Sequence, residues 1–231
     1  MNNKNGCLYE THLHTFPVSR CAIATVRESL EFYKGEGYTG VFITNHFIDG
    51  NINVDANASY AEKIGFYFSD YEKGVEIGKE IGLDVFCGVE SSYHGTDFLI
   101  YGLDKQWFLD HPEIEGMKKK DQLALFERHG ALIVHAHPFR EAVYIDHIKL
   151  YPRNVHAVEV YNAGRTELEN NMARLYCENY KLVAFAGTDN HIGVMKHLGG
   201  MMTPSPIESV ADFIEQVKDG RAVPFERTAT E

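Results

Sequence analysis

The chain has 231 residues, of which 44% are hydrophobic and 24% are charged, a composition typical of a globular domain rather than a disordered, collagen-like or coiled-coil chain. Its formal net charge of −11 argues against general electrostatic binding of nucleic acid. Four dispersed cysteines argue against a disulfide scaffold or a thiolate zinc site, and no apolar stretch is long enough to span a bilayer. The length suits a single domain over residues 1–231. No signal-like run follows the first residues, so we expect a cytoplasmic protein that is not attached to a membrane. The sequence carries no indication of oligomeric state.

Seven short apolar runs predict β-strands, and helical patterns follow several of them. In chain order the predicted strands cover residues 7–13, 40–44, 84–89, 98–102, 131–134, 157–161 and 182–186. Helical periodicity follows the first, second, fourth and sixth strands and returns over residues 209–219. This alternation favours a parallel α/β fold, and the length of the chain suits a small or incomplete (β/α) barrel. The polar segment 47–60 lacks helical period and is predicted to be a long loop.

Residues that can bind metal stand at or near the ends of six of the seven predicted strands. They are Glu10, His12 and His14, then His46, Glu90, His135 and His137, Glu159, and finally Asp189 and His191. Active sites of barrels are built at the carboxyl ends of the strands. A single histidine at such a place is more often structural, but the joint pattern predicts a metal site.

Three of these clusters have i, i+2 spacing: His12/His14, His135/His137 and Asp189/His191. In extended backbone such residues project from the same face, so each pair can point two ligands at one place. Imidazole together with carboxylate suits Zn, Mn or Fe, and a shared carboxylate such as Glu90 could bridge two ions.

Other features have a structural interpretation. His111, His129, His147 and His156 have no comparable placement, and the three lysines at 118–120 are interpreted as the solvated start of a helix. The sequence Gly-Glu-Gly-Tyr-Thr-Gly at 35–40 matches a dinucleotide-binding pattern, but it follows a helix and precedes a strand, which is the wrong order.

Five motifs, in order along the chain, resemble those of the PHP (polymerase and histidinol phosphatase) superfamily. They are Thr11-His12-Leu13-His14-Thr15, Ile43-Thr44-Asn45-His46, Gly88-Val89-Glu90, Ala136-His137-Pro138 and Gly187-Thr188-Asp189-Asn190-His191. The resemblance spans roughly residues 10–191. It implies a distorted (β/α)7 barrel with two or three divalent ions (Zn, Mn or Fe), and hydrolysis of phosphate esters, usually monoesters of small molecules.

The resemblance also implies a set of ligands. His12, His14, Glu90 and Asp189 would hold one ion, Glu90 and His137 a second, and His46 and His191 a third. The second ion needs a further ligand from residues 91–98, for which His94 and Asp97 compete, and ligand chemistry favours His94 slightly. Histidinol phosphatases usually carry another histidine shortly after the first motif, but residues 17–22 contain none, and Asn45 stands where the family often has Asp. The number of ions and the substrate therefore stay open.

The predicted mechanism is attack on phosphorus by a metal-bound hydroxide. Arg20, Arg140 and Arg165 follow strand-end motifs and are candidate phosphate clamps, with Arg140 the first choice. His191 or His46 could protonate the leaving oxygen if the third ion is absent. A phosphorylated small molecule is the expected substrate. The alternatives are a 3'-5' exonuclease or oligonucleotide phosphodiesterase, which the net charge disfavours, and a catalytically degenerate metal-binding domain.

Overall fold

Nine β-strands form one sheet in the computed structural model, which describes residues 6–230. The strands are β1 (Cys7–Leu13), β2 (Gly40–Ile43), β3 (Asp84–Tyr93), β4 (Thr96–Tyr101), β5 (Leu132–Ala136), β6 (Ala157–Asn162), β7 (Val183–Gly187), β8 (His197–Thr203) and β9 (Val223–Thr228). The helices are α1 (Val26–Gly35), α2 (Tyr60–Ile81), α3 (Lys105–Asp110), α4 (Lys119–Arg128), α5 (Glu167–Tyr180) and α6 (Val210–Lys218), with a short 3-10 helix at Pro112–Gly116. The order across the sheet is β7-β6-β5-β4-β3-β2-β1-β8-β9.

The sheet curls until its β7 edge meets β1. The backbone N–H of His14 donates to the carbonyl of Asn190 at 3.0 Å, and Asn190 N–H donates to the carbonyl of His12 at 3.3 Å. Strands β1 to β7 therefore follow one another in chain order around a nearly closed barrel. Six of these seven run in the same direction, so their carboxyl ends share one rim. The expected mixed α/β, barrel-like architecture is confirmed.

Strict alternation of strand and helix is not confirmed, because β4 runs antiparallel to both of its neighbours. Strands β3 and β4 are joined by a two-residue turn in which His94 and Gly95 have φ values of 50° and 82°. Two consecutive positive φ values are typical of a tight β-hairpin turn, which leaves no room for a helix. Strands β5 and β6 are also joined without a helix, through residues 137–156.

The hairpin β8–β9 was not predicted from the sequence. It pairs antiparallel with β1, and its first strand contains Gly199 and Gly200, which weaken the strand signal. A Cβ atom at Gly200 would lie 2.1 Å from the carbonyl oxygen of Tyr9, so the close approach of β8 to β1 requires glycine here. None of the helices within residues 6–230 has the length and apolar character needed to cross a lipid bilayer.

Helix α6 packs its aromatic residue into the centre of the sheet. The ring of Phe213 lies 4.6 Å from that of Phe42, 6.0 Å from that of Tyr101 and 6.2 Å from that of Phe185, measured between centroids. All four rings are fully buried. The helix predicted over 209–219 is thus present, and it contributes to the barrel core.

Helix α5 is also present as predicted, and it buries Ala173, Tyr176 and Cys177 against β6, but its two leucines lie outside that face. Leu168 and Leu175 are 65% and 59% exposed. The helix is also held by Asn170, whose side chain accepts from Asn162 N–H and donates to the Asn162 carbonyl at the end of β6.

We expect Phe213→Ala to reduce the free energy of unfolding by about 3–5 kcal/mol, because it removes a fully buried ring from an aromatic cluster. Leu175→Ala is the matched control on an exposed helix position and should change stability by less than about 0.5 kcal/mol. Urea unfolding followed by circular dichroism measures both. Equal effects of the two substitutions would contradict the placement of α6.

Candidate metal centre

Eight of the residues proposed as metal ligands meet at the rim formed by the carboxyl ends of the strands. Their nitrogen and oxygen atoms form four overlapping groups, and within each group the atoms lie within 4.8 Å of one another. The groups are His12/His14/Glu90, His12/His137/Asp189, Glu90/Asp97/His137 and His14/His46/His191. Six of the eight, all but His12 and His14, line a cavity of about 580 Å³.

His12 is held by a carboxylate behind it. Its Nδ1 lies 2.8 Å from Oε1 of Glu159 on β6, and both side chains are fully buried. The other oxygen of Glu159 accepts from the backbone N–H of His137 and from the side chain of Asn162. Because an ionised carboxylate only accepts hydrogen bonds, His12 Nδ1 carries the proton and Nε2 is left to bind a cation.

His14 is oriented by a chain of hydrogen bonds whose direction can be assigned. Asn45 Oδ1 accepts from the backbone N–H of Thr15, so its identity as oxygen is settled, and the hydroxyl of Ser19 donates its one proton to it at 2.7 Å. Nδ1 of His14, 3.0 Å from the same hydroxyl oxygen, must then be the donor. Nε2 of His14 is again free. Asn45 therefore positions a ligand from behind.

His191 follows the same rule. Its Nδ1 lies 2.8 Å from the backbone carbonyl of Asp189, an acceptor only, so Nε2 is the free nitrogen. Asp189 itself has a positive φ of 56°, and this bend after β7 brings both residues of the pair into the site.

The free nitrogens indicate that the residues fit a cation. Nε2 of His12 and of His14 are buried and have no hydrogen-bond partner among the described residues. Their nearest carboxylate oxygens, on Glu90 and Asp189, lie 3.3 to 3.5 Å away. Metal–ligand bonds of about 2.0–2.2 Å at a tetrahedral angle separate neighbouring ligand atoms by about 3.4 Å. The spacing thus suits ligands that share an ion.

The charges of the site also suit a cation. Burial raises the pKa of the Glu90 carboxyl, but the electrostatic influence of the neighbouring histidines, His46 first, outweighs burial and holds this pKa well below its ordinary value. For Asp189, burial is likewise outweighed, chiefly by His12 and His14, and its pKa is also well below the ordinary value. Burial lowers the pKa of His12, yet Glu159 and Asp189 raise it well above the usual value. The carboxylates are therefore ionised, and a cation would replace the proton on His12.

Asp97, rather than His94, lies in the ligand cluster. Asp97 faces Ser92 on one neighbouring strand and Ala136 on the other, and its Oδ2 is 4.0 Å from Nε2 of His137. His94 stands at the tip of the β3–β4 hairpin, where its ring packs edge-on against Tyr93, and it borders only the cavity. The geometry therefore reverses the slight preference for His94, because strand register directs Asp97 inward.

Two of the three candidate arginines border the cavity. The guanidinium of Arg140 lies 3.1 Å from Oδ2 of Asp97, and that of Arg165 lies 3.8 Å from Oδ2 of Asp189. In both residues Nε is buried without a hydrogen-bond partner in the described part of the chain. Arg20 is exposed and does not line the cavity; its backbone N–H donates to Asn51.

The expectation that His135 and His137 point at one place is wrong. Strand β5 ends at Ala136, and His137 has a positive φ of 25°, so the alternation of an extended strand does not apply. His135 packs against Phe98 with ring centroids 5.2 Å apart, and its pKa is lowered to about 3, first by burial and then by His137. Its role is structural.

Other polar residues near the site were missed or misread from the sequence. Glu159 was recognised as a residue at a strand end, but its position behind His12 depends on the closure of the barrel. The thiol of Cys21 lies 3.1 Å from Nε2 of His46. Burial raises the pKa of this thiol, but its interactions with the neighbouring imidazoles of His191 and His46 lower it to about 6. Lys119 is buried and paired with Asp49 at 2.8 Å, so the solvated interpretation is wrong for this lysine.

A second, larger cavity of about 720 Å³ lies between α2 and α6 and has mainly apolar walls. It contains none of the grouped ligands, so the chemistry belongs to the smaller, polar cavity at the strand ends.

No protein family model and no curated protein matches the chain, but solved structures share its fold. A two-domain protein from Bacteroides vulgatus, described as containing a predicted PHP-like metal-dependent phosphoesterase, superposes with a TM-score of 0.68 at 14% identity. The match covers 96% of this chain and 65% of that protein, so this chain spans just under two thirds of its length.

Two further structures match at similar identity. A proposed metal-dependent phosphoesterase from Bifidobacterium adolescentis gives a TM-score of 0.54 at 13% identity, over 79% of this chain and 87% of that one. An amidohydrolase from Chromobacterium violaceum, with bound sulfate and no metal, gives 0.53 at 12% identity, over 94% and 98%. At these identities the likeness concerns the fold, and it confirms the PHP resemblance at that level.

We expect Glu159→Gln to weaken divalent-metal binding by about 10–100-fold, because an amide orients and polarises His12 less strongly than a carboxylate does. Glu167→Gln, on the exposed start of α5, is the matched control. Competition with a fluorescent chelator measures the affinity, and circular dichroism checks that the fold is intact. Unchanged affinity in the Glu159 variant would show that this carboxylate does not support the site.

Proposed function

We propose that this protein hydrolyses a phosphate ester, most readily a phosphomonoester of a small molecule, with two or three divalent ions in the rim cavity. The observation that carries the proposal is the meeting of overlapping His/carboxylate groups with two arginines on one cavity wall. Zn, Mn and Fe all suit such ligands.

The ligand groups divide into two neighbouring positions that share Glu90. One set is His12, His14, Glu90 and Asp189, in which each imidazole Nε2 lies 3.3 to 3.5 Å from an oxygen of each carboxylate. The other set is Glu90, His137 and Asp97. A bridging carboxylate between two such sets is common in two-metal hydrolases. When bound, the ions would activate a water molecule and offset negative charge on the phosphoryl oxygens.

The protein side chains would hold the phosphate in place. Arg140 and Arg165 are each anchored by a carboxylate of the cluster, which sets the guanidinium before substrate arrives. A guanidinium binds two phosphate oxygens at once, and this favours a phosphoester over an uncharged amide. His46 and His191 lie at the more exposed side of the cluster, where either could protonate the leaving oxygen if no third ion is bound.

A small substrate fits the cavity better than a nucleic acid does. A volume of about 580 Å³ is typical of a small-molecule site. The net charge of −11 disfavours a polyanionic strand. The four cysteines are free in the structure, which supports the proposed cytoplasmic location.

The test is a substrate panel assayed with Zn, Mn or Fe added to the purified protein. It contains alkyl and aryl phosphomonoesters, phosphodiesters, DNA and RNA single strands, and simple amides. We expect phosphomonoesters to be cleaved fastest, and Asp189→Asn to lower their turnover by about 10²-fold or more, since it removes a charged ligand. Asp219→Asn, at an exposed helix end, should leave turnover unchanged. Faster cleavage of amides or oligonucleotides would contradict the proposal.

The ligand beside Glu90 and His137 can be tested by a matched pair of variants. We expect Asp97→Ala to lose the ion at that position, because Asp97 is the residue within reach of His137. His94→Ala should keep it, because His94 lies at the hairpin tip. Elemental analysis after metal loading and gel filtration gives the number of ions per chain. The reverse outcome would restore His94 as the ligand.

A further inference from the structure

Exposed apolar side chains are distributed unevenly over the surface. Thirteen large hydrophobic residues are exposed within residues 6–230, and eight of them lie in the three connections that leave the carboxyl rim after β1, β5 and β7. The connection after β5 alone carries Val143, Tyr144, Ile148 and Leu150, and the other five residues lie on α5 and β9. Single exposed apolar residues are normal, but a group of them beside a cavity is typical of a binding surface.

The connection after β5 forms part of the wall of the rim cavity. Tyr144 is 68% exposed and lines this cavity, and the guanidinium carbon of Arg140 lies 5.7 Å from the centroid of its ring. Arg140 is itself held by Asp97. The connection packs on the tip of the β3–β4 hairpin, because a Cβ atom at Gly95 would lie 2.8 Å from the side chain of Ile145. The aromatic ring is thus placed beside the arginine proposed to hold the phosphate.

The same connection encloses a side cavity of about 630 Å³, which shares Arg140 with the rim cavity. The apolar part of its wall consists of Ala142, Val143, Ile145 and Ile148. Because Arg140 borders both spaces, a phosphate bound to its guanidinium would have its ester group within reach of the side cavity. Apolar groups that move from water onto such a wall contribute favourably to binding.

The charges of the side cavity disfavour a second anionic group on the substrate. Besides Arg140, which is paired with Asp97, the wall contains the acidic residues Glu141 and Asp146. The imidazole of His147 pairs with Asp146. A further phosphate or carboxylate on the organic part of the substrate would lie close to these like charges, which costs free energy. The wall therefore suits an uncharged organic group.

We propose that the substrate is a phosphomonoester of a bulky apolar alcohol, whose organic part lies against Tyr144 and in the side cavity beside Val143, Ile145 and Ile148. The proposal rests on the proposed function and names the substrate class of that site. Tyr144 is then a residue that determines specificity, since it touches the part of the substrate that differs from one phosphomonoester to another.

The experiment is a series of straight-chain alkyl phosphates from ethyl to octyl, each assayed below its micellar concentration with the metal-loaded full-length protein. The basicity of the leaving alcohol hardly changes along this series, so the trend reports binding of the chain. We expect kcat/KM to rise by up to about fourfold for each added methylene group. The matching alkylphosphonates, which cannot be hydrolysed, should show the same trend in affinity by isothermal titration calorimetry.

A matched pair of variants locates the effect. Tyr144→Ser should lower the octyl-to-ethyl ratio of kcat/KM, and the corresponding ratio of phosphonate affinities, by about tenfold, because it removes an aromatic wall. Leu175→Ser, at an exposed apolar position on α5 that lines neither cavity, should keep both ratios.

Four results would overturn the proposal. If all alkyl phosphates are cleaved with the same kcat/KM, the apolar subsite is wrong and the phosphatase function stands. If 6-aminohexyl phosphate is preferred to hexyl phosphate, the acidic residues select the substrate instead. If light scattering shows a dimer that Tyr144→Ser dissociates, a second copy of the chain covers these side chains. If no phosphomonoester is cleaved and no phosphonate binds, the proposed function fails together with the subsite.

Discussion

The seam between β1 and β7 is the constraint on which the site depends. At this seam a Cβ atom on Gly187 would lie 2.6 Å from the Cβ of His12, so only glycine lets the two strands come this close. Backbone hydrogen bonds from His14 N–H to the Asn190 carbonyl and from Asn190 N–H to the His12 carbonyl join the ends of the strands. The closure of the sheet at this seam therefore places the histidines of the first motif beside the aspartate and histidine of the last motif, although the two motifs are far apart in the sequence.

The second requirement is that each buried histidine directs the nitrogen that can bind metal into the site. A carboxylate, a hydroxyl and a carbonyl behind the rings of His12, His14 and His191 accept their Nδ1 protons, so each Nε2 is the nitrogen that faces the site. Buried polar atoms without partners are costly in a folded protein. In this structure several such atoms lie at one place, close to ionised carboxylates. A cation bound there would remove the energetic cost of leaving them without partners. Arg140 and Arg165 then extend the cluster of charges to the open side of the cavity, where an anion would enter.

Much of this could be predicted from the sequence, because ligand type and strand-end position are local properties. The seven inner strands follow from their apolar runs, and the clustering of ligand residues at their ends follows from the geometry of a barrel. The β8–β9 hairpin carries two adjacent glycines and little β-propensity, so its place beside β1 depends on packing that the local sequence does not show. His135 and His137 have the spacing of a ligand pair, but the positive φ of His137 separates them.

The orientation of the site's side chains was harder to predict than their positions at the strand ends. The choice between His94 and Asp97 depended on a hairpin turn whose length could not be read from the residues alone. Glu159 and Ser19 support ligands that lie far away in sequence or across a turn, and Cys21 lies beside His46 only because its loop is anchored at both ends. Such contacts depend on tertiary structure.

The measurement that tests the central claim most directly is anomalous diffraction from crystals grown with Zn²⁺ or Mn²⁺, recorded on both sides of the metal absorption edge. The account predicts at least two anomalous peaks per chain in the rim cavity, one within bonding distance of His12 and Asp189 and one within bonding distance of His137, with Glu90 between them. Fully occupied peaks elsewhere on the surface, with none in the cavity, would contradict it.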